Sequence, residues 1–201
     1  MGLTATLRVW DDYLAAAEAK AILTKCGDIS QSGFLVHEKV RGQQVKRRSC
    51  AFSDPGYTYS YNGASHTGRD WPPWLSRMRE RLVKLINQPL EFCLLTEYPK
   101  GASLGKHKDD ESEIVDDSKI ICLSVGETRT LEIWDGSKVV ERLQIDEGTL
   151  YSMEGKFQTF LKHGINQGPP NGKVRFSFTF RHLNKPASVA PQSKRVRNER
   201  R

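Results

Sequence analysis

Apolar residues recur at helical spacing in the first half of the chain and alternate with polar ones in the second. Asp11 or Asp12 is placed to cap an alanine-rich helix over 13–23 that stops near Gly27. A second helix opens at Pro72 and Pro73, with Leu75, Met78, Leu82, Leu85 and Ile86 as its inner stripe and Arg77, Arg79, Glu80 and Lys84 facing outward. That stripe is core packing and carries no chemistry. From Leu90 onward the pattern shortens to runs rich in β-branched and aromatic residues, at 90–98, 119–125, 130–135, 138–145, 149–153 and 174–182. Turn residues separate them, at Asp135-Gly136-Ser137, Asp146-Glu147-Gly148 and Pro169-Pro170-Asn171-Gly172. Short strands behind a helical N-terminal part predict an α+β, mainly β fold: helices backing a β-sandwich or barrel. No internal repeat is present.

Composition narrows the class. A chain of 201 residues, 37% hydrophobic and 27% charged, suits one globular domain. No apolar run approaches the ~18 residues of a membrane-spanning helix. The N-terminus lacks the basic start and apolar stretch of a signal peptide, so the expected location is inside the cell, in cytoplasm or nucleus, with no membrane partner. Cys26, Cys50, Cys93 and Cys122 form no C-x-x-C pair, and Cys93 and Cys122 lie in apolar runs. Buried free thiols in a reducing compartment are expected, rather than a disulfide or zinc site.

The net charge of +7 is uneven, because residues 184–201 carry six Lys or Arg against Glu199 alone. A second cluster gathers Lys39, Arg41, Lys46, Arg47 and Arg48. Such patches suit a polyanion such as nucleic acid, or are simply solvated surface. After His182 the composition turns to a basic stretch, read as a disordered tail over 184–201.

His107-Lys108-Asp109 is the candidate chemistry. Residues two apart in an extended segment share a face, so His107 and Asp109 can reach one ion, with His163 brought alongside from a distant strand. Two imidazoles and one carboxylate on one side of a metal form the facial triad of non-haem Fe(II) oxygenases. An isolated H-x-D triplet also arises by chance on surface turns. In Arg175-Phe176-Ser177-Phe178-Thr179-Phe180-Arg181, the two arginines share a face with Ser177 and Thr179, and the three phenylalanines share the other. Arginines facing a barrel interior need anionic partners, which a dicarboxylate supplies. An edge strand with arginines in water would show the same alternation.

Taken in order, these segments resemble the AlkB family of Fe(II)/2-oxoglutarate dioxygenases. The stretch from Phe92 through Thr96, Tyr98, Gly101 and His107 to Glu111 is similar to the family's Asn-x-Tyr, glycine loop and H-x-D-D-E. Ser124 to Arg129 is similar to its S-x-G-x-x-R strand, Gly148 to Gly155 followed by His163 to its second metal segment, and Arg175 to Arg181 to its R-x-N-x-T-F-R strand. Ser53 to Gly63 resembles the D-x-G-x-x-Y-x-[FY]-S-G stretch of nucleic-acid-repairing members. The likeness spans about Arg48 to Arg181.

The resemblance implies a double-stranded β-helix, or jelly-roll, core over about 90–183 and a nucleotide-recognition lid over about 36–70, together a dioxygenase domain over 1–183. It implies iron on His107, Asp109 and His163. Arg175, helped by Tyr98, would hold the distal carboxylate of 2-oxoglutarate, and Arg181 would lie near the chelating one. Asp110 would contact the exocyclic amine of a target base, assisted by Glu111; Tyr59 and Tyr61 would be the lid aromatics over it, or half-buried strand packing. Arg48 is a further candidate for the substrate. Thr96 and Ser177 stand where the family has asparagines that hold 2-oxoglutarate, and a hydroxyl offers one donor where an amide offers two. Met153 matches the branch with Met rather than Trp there.

The implied reaction is oxidative demethylation of bases such as 1-methyladenine or 3-methylcytosine in DNA or RNA, using O2 and 2-oxoglutarate and releasing succinate, carbon dioxide and formaldehyde. A single strand is slightly favoured over a duplex, and the chain is expected to be a monomer. Two other classes stay open: a catalytically weak nucleic-acid-binding module of the same fold, and an oxygenase acting on a protein side chain or lipid.

Overall fold

The computed structural model describes residues 4–61, 64–169 and 171–185, so most of the expected basic tail lies outside the described residues. The elements in order are β1 (Ala5–Trp10), α1 (Ala16–Gln31), β2 (Val36–Val40), β3 (Gln43–Ser53), β4 (Thr58–Tyr61), β5 (Ala64–Thr67), α2 (Pro73–Ile86), β6 (Phe92–Tyr98), β7 (Leu104–His107), β8 (Ile120–Gly126), β9 (Arg129–Asp135), β10 (Lys138–Ile145), β11 (Leu150–Gly155), α3 (Phe157–Phe160), β12 (Leu161–Ile165) and β13 (Arg175–Arg181). Helix α1 overshoots its expected stop, running through Gly27 to Gln31, and its N-cap is Ala15 rather than an aspartate. Burial of Ala19, Ile22 and Cys26 along one face outweighs the roughly 1 kcal/mol that a mid-helix glycine costs.

Seven strands form one sheet in the order β1-β11-β8-β13-β6-β3-β2, and four form a second in the order β10-β9-β12-β7. All pairings within them are antiparallel. Helices α1 and α2 cover one face of the large sheet, where Ile22, Cys26, Leu75 and Leu82 pack on Cys93, Leu95, Leu123, Phe176, Phe178 and Phe180. The opposite face, with Leu94, Tyr98, Cys122, Tyr151 and Met153, meets Leu131, Ile133, Ile145 and Ile165 of the small sheet. This is a jelly-roll-like sandwich backed by helices. All four cysteines are buried and unpaired. Among the described residues no helix is long and apolar enough to cross a membrane.

The expected lid is partly built into the core. Strand β3 pairs with β6 from Arg48↔Glu97 to Ser53↔Phe92, so it extends the large sheet, with β2 as its edge. Only β4 and β5 form a separate hairpin.

Candidate active site

Between the two sheets, the alternation of β13 places Arg175, Ser177, Thr179 and Arg181 on the inner face, since the three phenylalanines occupy the helix side. Neighbouring strands contribute in register. Ser49, Thr96, Ser177 and Ser124 stand opposite one another on β3, β6, β13 and β8. All four are buried, so a row of hydroxyls crosses the sheet. Arg175 is fully buried, donates from Nε to Ser124 Oγ at 2.9 Å and lies with its guanidinium 4.9 Å from the Tyr98 ring centroid. Among the described residues, its Nη1 and Nη2 have no hydrogen-bond partner.

His163 of β12 pairs directly with His107 of β7, which brings their rings to 4.3 Å between centroids. A Cβ on Gly164 would lie 2.7 Å from the Leu104 carbonyl, so glycine permits this close approach of β12 and β7. One ligand atom each from His107, Asp109 and His163 lies within 4.8 Å of the others. His107 Nδ1 sits 3.0 Å from the Gly105 carbonyl, which fixes that nitrogen as the donor and leaves Nε2 for a metal. The Asp109 N–H donates to Gln158 Oε1 at 3.0 Å. Arg181 Nη2 approaches Asp109 Oδ2 to 3.2 Å, and both side chains are buried.

The electrostatics suit metal binding. Burial would raise the Asp109 carboxyl, but Arg181 and the two imidazoles hold it well below the usual carboxylate range. Burial and the neighbouring His107 push His163 down to about 3, so it stands neutral with a lone pair to give. Burial lowers His107 as well, but the Asp109 carboxylate more than reverses this, and its pKa lies above 6.5. Asp109 Oδ1, His163 Nδ1, and Nε and Nη1 of Arg181 are buried without hydrogen-bond partners. Unsatisfied buried groups of this kind are costly unless a ligand completes them. Converging ligand atoms without partners, beside an Arg181 with unpartnered nitrogens and on the same sheet as an Arg175 with no carboxylate partner among the described residues, fit an iron with a dicarboxylate.

Not every residue expected here is brought together. Thr96, Tyr98, Ser177, Arg181 and Tyr61 line one cavity with His107, Asp109 and His163. Asp110 does not: it is exposed and lines a separate trough with Asp116 and Asp117. Strand β7 ends at His107, so strand parity no longer governs the residues after Asp109, and the chain turns Asp110 outward. Glu111 borders the same trough and not the cavity, but it is the less exposed of the two, with a buried Oε2 and a pKa raised by burial. Tyr59 is fully buried and presents no open face, because Arg181 lies 4.5 Å from its ring centroid and Phe92 packs at 5.1 Å. Arg48 faces the helices, where it binds Glu97 at 2.6 Å and Ser30 at 2.7 Å. Its neighbour Arg47 is the one at the cavity, bound to Glu38 Oε2 at 2.8 Å and to the Ser103 carbonyl. Glu38, Arg47 and Ser49 were missed by sequence reasoning, and the only available signal was the basic cluster around them.

A jelly roll that joins a His-Asp-His cluster to a strand with two buried arginines, several of whose nitrogens lack partners, fits an iron-dependent oxygenase with an acidic co-substrate. The chain belongs to the 2OG-Fe(II) oxygenase superfamily, whose family model matches residues 6–181. It is therefore a dioxygenase that uses Fe(II), 2-oxoglutarate and O2. The mouse "DNA oxidative demethylase ALKBH2" is 30% identical over 167 residues, covering 76% of this chain and 69% of that protein. Across the mouse, cattle and human forms the chain spans 59–69% of the relative's length. The "Replicase protein 1a" of Grapevine leafroll-associated virus 3 is 32% identical over 142 residues, covering 68% of this chain and 6% of that protein. Among solved structures, OsALKBH1 is similar in fold, with a TM-score of 0.68 at 17% identity, over 90% of this chain and 100% of that one.

Proposed function

We propose that the chain removes methyl groups from base nitrogens of nucleic acid, with 1-methyladenine and 3-methylcytosine as the model substrates. His107, Asp109 and His163 hold the iron, which when bound supplies the oxidation that turns the N-methyl group into a hydroxymethyl. That hemiaminal then breaks its C–N bond to give formaldehyde and the restored base. Arg175 and Tyr98 hold the distal carboxylate of 2-oxoglutarate, and Arg181 steadies Asp109 and the nearer carboxylate. Thr96 and Ser177 donate hydroxyls along its length. Glu111 favours the positive charge of an N-alkylated base, and Tyr61 closes over that base at the cavity mouth. Such a base pairs poorly and is cheaper to extrude from its neighbours.

The observation that carries the co-substrate half of this assignment is the pair of buried arginines with unpartnered nitrogens on one strand, beside the triad. The similarity to a DNA oxidative demethylase supports the substrate half. The test is formaldehyde release from methylated oligonucleotides, with iron and 2-oxoglutarate present or withheld. Release is expected only with both, and none from a His107→Ala protein; full activity without His107 would sink the mechanism. Oligonucleotide binding with no turnover would instead indicate a binding module.

A further inference from the structure

Two surface grooves leave the cavity on either side of Tyr61, which lines all three spaces. The first, of about 590 Å³, runs between β3 and the segment leading into β7. The second, of about 560 Å³, runs between the β2–β3 pair and the β4–β5 hairpin. Glu38 and Arg47 stand at their junction as a buried ion pair: Arg47 borders the first groove, Glu38 the second, and both border the cavity.

The linings differ in a way that matches one kind of ligand. The first groove carries Lys46, Lys106 and Arg47 and, among the described residues, no carboxylate. Lys46 and Lys106 are exposed and form no ion pair among those residues. The second groove presents Phe34, 41% exposed, with the Arg69 guanidinium 4.0 Å from its ring centroid. Its one carboxylate, Glu38, is already neutralised by Arg47. Free lysines suit phosphates, and a partly exposed aromatic ring with a guanidinium stacked over it suits a neighbouring base.

We propose that the two grooves form one continuous track for a single polynucleotide strand. The strand runs along one groove, turns one base past Tyr61 into the cavity, and leaves along the other. The proposal rests on the nucleic-acid assignment above and deepens it by naming the form of the polymer. Turning out one base makes its two flanking phosphates diverge, and a cavity mouth between two grooves accepts that geometry. The lysine groove then holds the backbone on one side, and Phe34 with Arg69 holds a neighbouring nucleotide on the other.

The test combines binding and turnover on the full chain. Fluorescence anisotropy would follow an unmethylated single-stranded 10-mer across a salt series. Formaldehyde release would compare a methylated free nucleoside with the same base in the 10-mer. Lys46→Gln/Lys106→Gln is expected to weaken 10-mer binding and to flatten the log–log salt slope by about 1.4, at about 0.7 for each phosphate no longer neutralised. Phe34→Ala is expected to weaken binding about fivefold or more with the slope unchanged. Turnover of the free nucleoside should match the parent in both variants, which also reports that they fold. Unchanged binding in both variants, an equal loss on the nucleoside, or a duplex of the same sequence bound as tightly as the single strand would overturn the track. If the variants alter binding as expected but no methylated substrate releases formaldehyde, the track stands and the dealkylase assignment falls. Formaldehyde released equally from nucleoside and 10-mer, with binding unchanged, gives the reverse result.

Discussion

Thr96 and Ser177 face each other directly across β6 and β13, inside the row of hydroxyls that crosses the large sheet. Each hydroxyl supplies one donor where the family's asparagine would supply two. On the proposed assignment Arg175, fully buried with two guanidinium nitrogens unpartnered among the described residues, would then be the principal anchor of the co-substrate. Restoring the amides should tighten that hold. Thr96→Asn/Ser177→Asn is expected to lower the KM for 2-oxoglutarate about fivefold, on the order of 1 kcal/mol for a regained hydrogen bond. Because the two side chains touch the same ligand, the single variants should not sum to the double. Succinate production against 2-oxoglutarate concentration measures this, and a KM that stays level or rises in the double variant would show that the hydroxyls already satisfy the site. The same scale explains which residue roles were misread. Arg47 and Arg48 differ by one position on β3 and therefore by face. Composition treats the two as equivalent, and only the strand register separates them.

At the scale of elements, the strands legible in the sequence were runs rich in β-branched and apolar residues, and β10 matches its expected bounds although it is mostly exposed. Strands β6, β8 and β13 lie within about two residues of their expected bounds because each is buried along nearly its whole length. No run marks β2, β7 or β12, although the metal reading puts His107 in an extended segment and His163 on a distant strand: Val36–Val40 is mostly exposed and Leu104–His107 is polar and short. Their strand character comes from pairing, which local composition does not record. Yet β7 and β12 carry His107 and His163, so the metal site depends on the least legible pair in the fold. Gly164 is its weak point, since a Cβ there would press on the Leu104 and Gly105 backbone. Gly164→Ala is expected to push β12 off β7, separate the two imidazoles and weaken metal binding about tenfold or more, as loss of supporting geometry around a metal commonly does. Metal titration followed by calorimetry would report it. Metal affinity equal to the parent's would mean that the strands accommodate the methyl group without moving the histidines.

For the molecule as a whole, the site holds most of the buried polar atoms that lack partners among the described residues, the rest lying mainly at Arg129 and Glu127. Three candidate metal ligands converge beside Arg181, and Arg175 lies further along the same strand with two unpartnered nitrogens, an arrangement that iron and a dicarboxylate would complete. Whatever binds the folded chain and not the unfolded one stabilises it by RT ln(1 + [L]/Kd), about 2.7 kcal/mol at a hundredfold excess over Kd. For a chain of 201 residues that corresponds to a rise of roughly 5–10 °C in Tm. Manganese, which binds similar oxygen and nitrogen ligands without driving turnover, can stand in for iron in the measurement. The metal alone should give one increment and 2-oxoglutarate added to it a second. Arg175→Met should keep the first and lose the second, because it removes the distal anchor and leaves the triad in place. It should also raise the Tm of the ligand-free protein or leave it level, since a buried cation without an anion is exchanged for an apolar chain of similar reach. Thermal unfolding of parent and variant under the three conditions decides the matter. A variant that still gains the full 2-oxoglutarate increment would show that Arg175 is structural, and the co-substrate would then have to be held from the Arg181 end alone.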